Sequence, residues 1–512
     1  MATAAAMHLG SQNLPHSSDS STCRWQCKAR IGGWAHTLKG NVTCKDLWQE
    51  VSGSLGDIGT FLPIVIALTL VNGLDLGTTL LATGLYNILT GLLFGVPMPV
   101  QPMKAIAAAA ITEGNPLTVP QIMAGGLSTA MVLFVLGCTG LIWVVHRLIP
   151  LPVVRGIQLS QGLGFAITAV NYVIKEQSFG SGKAKGDRPW LGLDGRLLAV
   201  VVFCFVVLVS GTGGGMADEG TVERKGNAQE KIYDEENSRN VSTNPHEEDA
   251  QNAAQGQTAS SSSSMWVLQK LNLIPTALTV FLLGVILAFV RKPHIFKELH
   301  VGPSTPHLVK ITSRDWKIGF IRAAVPQLPL SILNSVVAVC KLSKDLFPSK
   351  VQVSPVRVSV SVALMNLVGC WFGVLPVCHG AGGLAGQYRF GARNGISVVF
   401  LGAFKLLIGV LLGSSLLHIL AQFPIALLGV LLFFSGVELA MACRDQNSRL
   451  DSFVMLTCVG VAQASSSLAL GCGFGIGLYV LLKLREADFI SWRSRLHNLM
   501  RRGSTETLTP SA

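Results

Sequence analysis

One short segment, FGVPMPVQPMKA at Phe94–Ala105, carries residues whose types and spacing could bind a charged solute. It lies in an apolar stretch, yet it contains three prolines and places Gln101 and Lys104 beside them. Prolines interrupt a helix, and an unpaired backbone amide is costly in hydrocarbon, so the freed amides need a partner. A bound solute is such a partner. After the break a short helix can begin near Met103, with its first N–H groups and positive dipole end at the protein centre.

A second broken segment, PVCHGAGGLAGQ from Pro376, has the same character, and its glycines allow a ligand close to the backbone. Two half-helix N-termini that face each other would present partial positive charges and free donors, an arrangement that suits a small anion. Lys104 adds a full charge, although a lysine can also extend from a helix toward the membrane interface. The candidate binding residues of the two breaks are Gln101, Met103, Lys104, His379, Gly380, Ala381, Gly382 and Gly383.

Two carboxylates are candidates for proton coupling, because acids inside a membrane are rare and usually functional. They are Asp57, in GSLGDIGTFLP, and Glu438, in FSGVELA. A carboxylate that takes up a proton reduces the repulsion of an incoming dianion. Two structural roles remain open, with Asp57 as the N-cap of the first helix and Glu438 as a partner of Arg444 near the cytosolic end. Arg155 faces the same choice, and an interfacial position is favoured for it.

The elements that must position these residues are membrane spans. The chain has 512 residues, of which 49% are hydrophobic and 13% charged, a composition outside the usual soluble range. Its net charge is +12, but the basic residues lie in short connections and at the two ends, which favours membrane topology over nucleic-acid binding. Cys23 and Cys27 are interpreted as free thiols because no second ligand pair accompanies them, and neither a metal nor a cofactor is predicted.

Apolar runs cut at prolines, glycine clusters and charges give about fourteen segments, with a spanning length of about 20 residues as the ruler. The predicted fold class is therefore an all-α polytopic membrane protein in which the third and tenth segments are short half-helices. Ser160, Gln161 and Ser435 fall on the fifth and twelfth segments, where they either line the cavity or join helices by hydrogen bonds. The predicted segments are 50–71, 76–95, 99–112, 119–146, 150–174, 192–211, 267–290, 317–340, 355–375, 379–391, 396–420, 423–441, 452–468 and 470–484.

Two pairs of segments indicate an internal repeat. YNILTGLLFGVPMPVQPMKA from Tyr86 and MNLVGCWFGVLPVCHGAGG from Met365 each hold an early Asn, a Phe-Gly-Val and a Pro-Val before the break. Seven spans per repeat start the second repeat on the opposite side of the membrane, so the repeats are inverted, as in secondary transporters. The second pair, IPLPVVRGIQLSQGLGFA and FPIALLGVLLFFSGVELA, aligns Pro150 with Pro424, Gly162 with Gly436 and Ala166 with Ala440.

The charges between the spans set the expected orientation. With the N-terminus in the cytosol most basic connections fall inside, as the positive-inside rule expects, whereas 175–188 and 291–317 fall outside and conflict with it. The tail at 1–45 also fits, more weakly, an organelle transit peptide. The predicted divisions are a disordered cytosolic tail at 1–45, the first repeat at 46–210 and 265–290, a disordered acidic cytosolic loop of unassigned role at 211–264, a connection at 291–316, the second repeat at 317–485 and a cytosolic tail at 486–512.

Two long motifs, PMPVQPMKAIAAAA at Pro97–Ala110 and FGVLPVCHGAGGLAGQYRFGAR at Phe372–Arg393, resemble the signature segments of the molybdate transporters of plants and algae. That family is related to the sulfate permease superfamily, and GDIGTFLP near the start is similar as well. The resemblance covers Asp46 to Arg485. It implies fourteen spans in seven-plus-seven inverted repeats, a core domain that moves against a gate domain, and an anion held between the third and tenth segments by the candidate residues of the two breaks.

The sequence therefore predicts a proton-coupled secondary transporter of molybdate that works by alternating access, and not an enzyme. Molybdate and sulfate are both tetrahedral dianions that backbone donors discriminate poorly, so the substrate rests on the resemblance. Sulfate or another oxyanion as substrate, an anion channel of the same fold, and a receptor that does not transport remain open. The expected partners are molybdate, protons and the lipid bilayer, with a homodimer as a candidate assembly. The expected location is the plasma or vacuolar membrane, with other endomembranes and mitochondria as alternatives.

Overall fold

The computed structural model of the protein describes residues 46–111, 116–177, 184–211, 274–294 and 300–503. Two predicted regions, the tail at 1–45 with Cys23 and Cys27 and the acidic loop at 211–264 beyond Gly211, lie outside the described residues. Helices dominate the rest. Those of the first half are α1 (Leu47–Ser54), α2 (Ile58–Asn72), α3 (Leu76–Phe94), α4 (Lys104–Ala110), α5 (Val119–Cys138), α6 (Leu141–Leu148), α7 (Leu151–Ile174), α8 (Arg196–Ser210) and α9 (Thr276–Arg291).

The second half is built in the same way. Its first helix, α10 (Ser313–Leu346), contains π-helical turns at Phe320–Ala324 and Ser331–Ala338. The remaining helices are α11 (Pro355–Gly369, extended by a 3₁₀ turn at Cys370–Phe372), α12 (Ala381–Arg389), α13 (Ile396–Leu412), α14 (Leu416–Leu420), α15 (Ile425–Met441), α16 (Arg449–Ala464) and α17 (Leu468–Gly503).

Many of these helices are long and apolar enough to cross a membrane, which confirms the predicted helical, multi-pass class. Within the described ranges, eight stretches meet that criterion of length and composition and three apolar helices are shorter. The long stretches are Leu47–Asn72, Leu76–Phe94, Val119–Cys138, Leu151–Ile174, Ser313–Leu346, Pro355–Phe372, Ile396–Leu420 and Leu468–Glu486, and the shorter helices are α8, α9 and α15.

A two-stranded antiparallel ladder lies among the helices. β1 (Val100–Pro102) precedes α4 and pairs with β4 (Val377–His379), which precedes α12, and Gln101 lies opposite Cys378. All six residues of the ladder are buried. A second hairpin, of β2 (Lys175–Gln177) and β3 (Ala184–Asp187), follows α7. The buried ladder sets the relative position of the two broken segments.

Matching asparagines hold the two strands of the buried ladder. The Asn87 side chain accepts a hydrogen bond from the Val100 amide at 2.9 Å, and Asn366 accepts one from the Val377 amide at 2.7 Å. Each asparagine also donates to the carbonyl four residues earlier in its own helix. These are the early asparagines of the sequence repeat, so the repeat has the same structural role in both halves.

The structure departs from the predicted segments at several places, of which three concern a break or an end of a span. The predicted span at 119–146 is two helices, because Gly140 has φ +73° and separates α5 from α6. The first span is interrupted between α1 and α2, close to Asp57. The last helix continues to Gly503, past the predicted end of the span at 484. Apolar composition marks where a span lies, whereas backbone breaks inside and beyond it depend on local conformation.

The basic connections predicted to lie outside have acidic partners in the structure. The Arg188 guanidinium is buried and forms an ion pair with Asp194, and an Arg291 nitrogen lies 3.7 Å from the same carboxylate. The Arg196 guanidinium lies 3.2 Å from Asp187. Three arginines in or beside these connections therefore have a carboxylate within ion-pair distance.

Candidate functional site

The ladder places the N-termini of the two half-helices, α4 and α12, next to each other. α4 begins at Lys104 and α12 at Ala381, each directly after its strand. The Met103 amide donates a hydrogen bond to the Pro376 carbonyl at 2.9 Å and so ties one break to the other. The two broken segments therefore meet inside the protein, as the sequence predicts.

Asp57, Thr60 and Gln101 form a buried hydrogen-bonded cluster beside the ladder. One oxygen of the Asp57 carboxylate accepts hydrogen bonds from the Gln101 amide and the Thr60 hydroxyl. The Gln101 amide nitrogen also lies 3.0 Å from the Thr60 hydroxyl. Among the described residues the other carboxylate oxygen has no hydrogen-bond partner. Asp57 stands at the N-cap position of α2 but its side chain caps no backbone amide, so the expected capping bond is not formed.

Lys104 points into the protein. Its ammonium lies 3.9 Å from the centroid of the Phe165 ring, is buried, and has no hydrogen-bond acceptor in the described part of the chain. A cation over an aromatic face gains part of the energy that it loses by leaving water. Phe165, on α7, also packs on the start of α12, since the atoms nearest to a Cβ on Gly382 would be those of the Phe165 ring. One aromatic ring therefore covers both the lysine and the half-helix terminus.

The two half-helix termini differ in the amides that they offer. At the start of α4, the Gln327 side-chain oxygen accepts hydrogen bonds from the amides of Ala105 at 2.9 Å and Ile106 at 3.4 Å. At the start of α12, the amides of Ala381 and Gly382 have no acceptor among the described residues. The prediction that both termini present free donors therefore holds only in part for α4, because a glutamine from α10 accepts from two amides of its first turn. α12 has two adjacent amides available to an anion.

Glycines beside Gln101 make room for its side chain. A Cβ on Gly383 would lie 2.6 Å from the Gln101 amide nitrogen and 2.7 Å from Pro99. The nearest atom to a Cβ on Gly380 would be the Gln101 side-chain oxygen. Side chains at these positions would displace Gln101, so the glycines of this break serve the packing of the opposite break.

Other predicted residues lie elsewhere. The buried His379 ring packs edge-on against Phe94, and its Nε2 lies 3.3 Å from the Ser361 hydroxyl, on the ladder face opposite Gln101. Two serines join helices: the Ser160 carbonyl accepts from Gln463 at 2.6 Å, and the Ser435 hydroxyl donates to Leu431 at 2.9 Å and lies 3.2 Å from the Gly56 carbonyl. The structure does not bring these three side chains to Lys104.

The two remaining predicted residues, Gln161 and Glu438, lie on α7 and α15. Gln161 lies one helical turn before Phe165 on α7, and its side-chain oxygen has no partner among the described residues. Glu438 is partly exposed in the last turn of α15. Of the two predicted acids, only Asp57 contacts the ladder.

Arg155, for which an interfacial position was favoured, is buried in an ion-pair network at the start of α7. Its guanidinium donates to Asp345, at the end of α10, at 2.8 Å, and to Asp445, after α15, at 2.9 Å. Lys341 adds a bond of 2.6 Å to Asp345. Partial burial raises the pKa of the Asp445 carboxyl, but hydrogen bonds from Arg155 and Gln446 hold it below its ordinary value.

Lys405 is a buried cation that the sequence analysis missed. Only 6% of it is exposed, its ammonium lies 3.6 Å from the centroid of the Phe61 ring, and it has no hydrogen-bond acceptor within the described ranges. Lys405 and Asp57 line one otherwise apolar cavity of about 350 Å³. The signal was present, because Lys405 is the one charged residue of the apolar segment 396–420.

The fold and the paired half-helices define a class of protein, a helical multi-pass membrane protein in which two broken segments pair in a buried ladder. The chain is similar to the solved structure titled "The overall structure of SLC26A9", with a TM-score of 0.51 at 15% identity over 93% of this chain and 73% of that one. At this identity the likeness concerns the fold alone.

Sequence comparisons then identify the family. The chain is 53% identical over 458 residues to "Molybdate transporter 2" of Arabidopsis thaliana, covering 89% of this chain and 91% of the relative. It is 50% identical to "Molybdate transporter 1" of the same plant, over 90% of this chain and 93% of the relative. A protein of Chlamydomonas reinhardtii, also named "Molybdate transporter 1", is 37% identical over 84% and 90%. A family model described as "Molybdate transporter of MFS superfamily" matches residues 49–165 and 319–439. The chain belongs to the molybdate transporter family, whose members are transporters and not enzymes, which confirms the resemblance stated above.

Proposed function

We propose that this protein carries molybdate across a membrane by alternating access. The substrate follows from the names of the relatives, which are 50–53% identical over about nine-tenths of the chain. The geometry supports an anion because Lys104 and the available amides at the start of α12 meet under one aromatic ring. That shared cover of Phe165 over a cation and a helix N-terminus is the observation that carries the proposal.

The binding site proposed here lies between β1–α4 and β4–α12. Lys104 supplies the full positive charge, and Ala381 and Gly382 supply backbone donors. Gln101 links this site to Asp57. Met103, Gly380 and Gly383 shape the two turns, and Gln161 offers an unpaired amide oxygen one turn from Phe165. His379, Ser160 and Ser435 support the surrounding helices.

The proposed architecture is fourteen segments in two inverted repeats of seven, with α1 and α2 as one segment and α6 and α14 as short additions. Helix contacts support it, because two of the larger contacts have counterparts when the two repeats are exchanged. α3 packs on α13 as α11 packs on α5, and α7 on α16 as α15 on α8. The two stretches matched by the family model span the first five segments of each repeat and are of similar length.

In this architecture α1–α6 and α10–α13 form a core domain, and α7–α9 and α15–α17 form a gate domain. The anion site belongs to the core, and Phe165 covers it from the gate. The ion pair between Arg155 and Asp345 also joins gate to core. Movement of one domain against the other would uncover the site, which is the physical content of alternating access.

Asp57 is the proposed proton carrier. It is buried, one of its oxygens has no partner among the described residues, and it contacts Gln101 directly. Bringing a dianion near a buried carboxylate is unfavourable unless the carboxylate takes up a proton. Protons would therefore enter together with molybdate.

The experiment that tests the proposal is uptake of radioactive molybdate by proteoliposomes that contain the purified full-length chain. Accumulation above the external concentration, driven by an inward proton gradient, is the expected result. Equilibration without accumulation would indicate a channel. Abolition of uptake by an equal concentration of sulfate would indicate a sulfate or general oxyanion transporter.

Three further predictions accompany the proposed function. Deletion of 211–264 should leave uptake intact, whereas a receptor that depends on the acidic loop would lose its function. A fluorescent fusion imaged in its own cells should mark the plasma or vacuolar membrane. Cross-linking of the purified chain in lipid should give a homodimer.

A further inference from the structure

The cavity that Asp57 and Lys405 share is almost free of other polar groups. It is enclosed by α2 and α3 on one side and by α9, α13 and α14 on the other, and every other lining residue is apolar. Of the two charged residues, Asp57 is 3% exposed and Lys405 is 6% exposed. Two opposite charges buried in one apolar cavity lower the cost of burial for each other.

Neither charge is fully satisfied by a neighbour. Among the described residues the Lys405 ammonium has no hydrogen-bond acceptor and lies over the face of Phe61, which follows Asp57 by one turn of α2. One oxygen of the Asp57 carboxylate is without a hydrogen bond in the described part of the chain. In a purely structural ion pair the ammonium would donate hydrogen bonds directly to the carboxylate. Because Lys405 and Asp57 are not bonded in this way, the free carboxylate oxygen of Asp57 can bind a proton instead.

We propose that Lys405 is the counter-charge that keeps Asp57 ionised while the anion site is vacant, and that makes proton uptake depend on molybdate. Lys405 acts through Asp57 and is a positioning residue for coupling. The inference rests on the proposed function, because it assigns a role within proton-coupled molybdate transport.

Charge balance gives the reason. With Lys104 and Lys405 charged and Asp57 ionised, the vacant site carries one net positive charge. A molybdate dianion changes that sum to one net negative charge, and a single proton from the outside water, bound by the Asp57 carboxylate, brings it to zero. A neutral loaded state avoids an uncompensated charge inside the membrane. Without Lys405, the charges of Lys104 and ionised Asp57 cancel in the vacant site. The site loaded with molybdate then keeps a net negative charge even after Asp57 binds a proton.

The other titratable groups around Asp57 are few. Lys104 on α4 and Cys378 on β4 lie near it, and α3, α9 and α14 contribute apolar residues to the cavity. On α15, which packs against α2, Glu438 lies in the last turn and is partly exposed. Lys405 is thus the cation that faces Asp57 across the cavity.

The test is the pH dependence of molybdate uptake by proteoliposomes that contain the full chain or a variant. Lys405→Met should flatten the dependence to the extent that Asp57→Asn does and should reduce accumulation at least tenfold, and Lys405→Arg should restore the dependence. Lys483→Met is the matched control, because Lys483 is an exposed lysine of α17 paired with Glu486, and it should behave like the wild type. An unchanged pH profile in Lys405→Met would overturn the inference.

The double variant Asp57→Asn with Lys405→Met keeps the test decisive if the single variant does not fold. Removing both charges leaves the vacant site with the same single net positive charge as in the wild type, that of Lys104, so the double variant should recover folded protein, as judged by size-exclusion chromatography in detergent. A double variant that yields no more folded protein than the single variant would contradict the pairing of Asp57 with Lys405. If the wild-type protein takes up no molybdate at all, the proposed function fails, whereas normal wild-type uptake with an unaltered Lys405→Met profile removes only this inference.

Discussion

Gly162 and Gly436 face each other where α7 crosses α15, and a Cβ on either residue would lie 2.6 Å from the carbonyl oxygen of the other. The sequence repeat aligned these two glycines. Their reciprocal contact brings the helix that carries Phe165 close to α15.

Substitution at this crossing should separate the two helices. Gly436→Val should lower stability by about 1–3 kcal/mol, because overpacking a close contact forces backbone shifts. The measurement is the thermal unfolding midpoint of the purified protein in detergent. Gly460→Val is the control, since a Cβ on Gly460 has no heavy atom within 4 Å, and equal losses in both variants would contradict the contact argument.

Lys104 should be needed for uptake. Lys104→Met removes the one full positive charge at the start of α4 and should lower molybdate uptake roughly tenfold or more, since a hydrogen bond to a charged group contributes about 1.5–3 kcal/mol. Lys175→Met is the control, because Lys175 is exposed in β2 at the end of α7. Comparable losses of uptake in both variants would show that the buried position of Lys104 does not give it a special role.

The pH dependence of uptake should depend on Asp57 and not on Asp445. Uptake by the wild-type protein should fall from about pH 5 to about pH 8 as the co-transported proton becomes scarcer, and Asp57→Asn should flatten this profile. The folded pKa of Asp445 lies below its ordinary value, so its stabilisation is complete above about pH 4 and is lost only as the pH falls through the folded pKa. Asp445→Asn should therefore leave the slope unchanged, and a flattened slope there would point to the Arg155 network instead.

Gln327 should be required for the first turn of α4. Gln327→Leu leaves the buried amides of Ala105 and Ile106 without an acceptor, which should cost about 1–3 kcal/mol. Gln327→Glu keeps the acceptor oxygen and should retain more of the stability. Thermal unfolding of both variants checks this, and a Glu variant no better than Leu would show that the cap contributes little.

Backbone features were predicted from the sequence more completely than side-chain contacts. The broken segments, the repeated asparagine and the aligned glycines were all visible in the sequence, and each pair makes matching contacts in the structure. Gln327 and Lys405 were not singled out, and His379 was grouped with Lys104 although its ring lies on the other face of the ladder. A β-strand sends successive side chains to opposite faces, so that grouping depended on a register that only the paired strands define.

The sequence by itself determined that the chain crosses the membrane many times and that two of its apolar segments are broken by prolines and glycines. Hydropathy, proline and glycine act locally along the chain, so these features need no knowledge of packing. Only the tertiary structure decided that Gln327 caps α4, that Phe165 covers Lys104, and that Lys405 shares a cavity with Asp57. Each of these contacts joins residues distant in sequence, and their partners are selected by how helices pack and which face each turns inward.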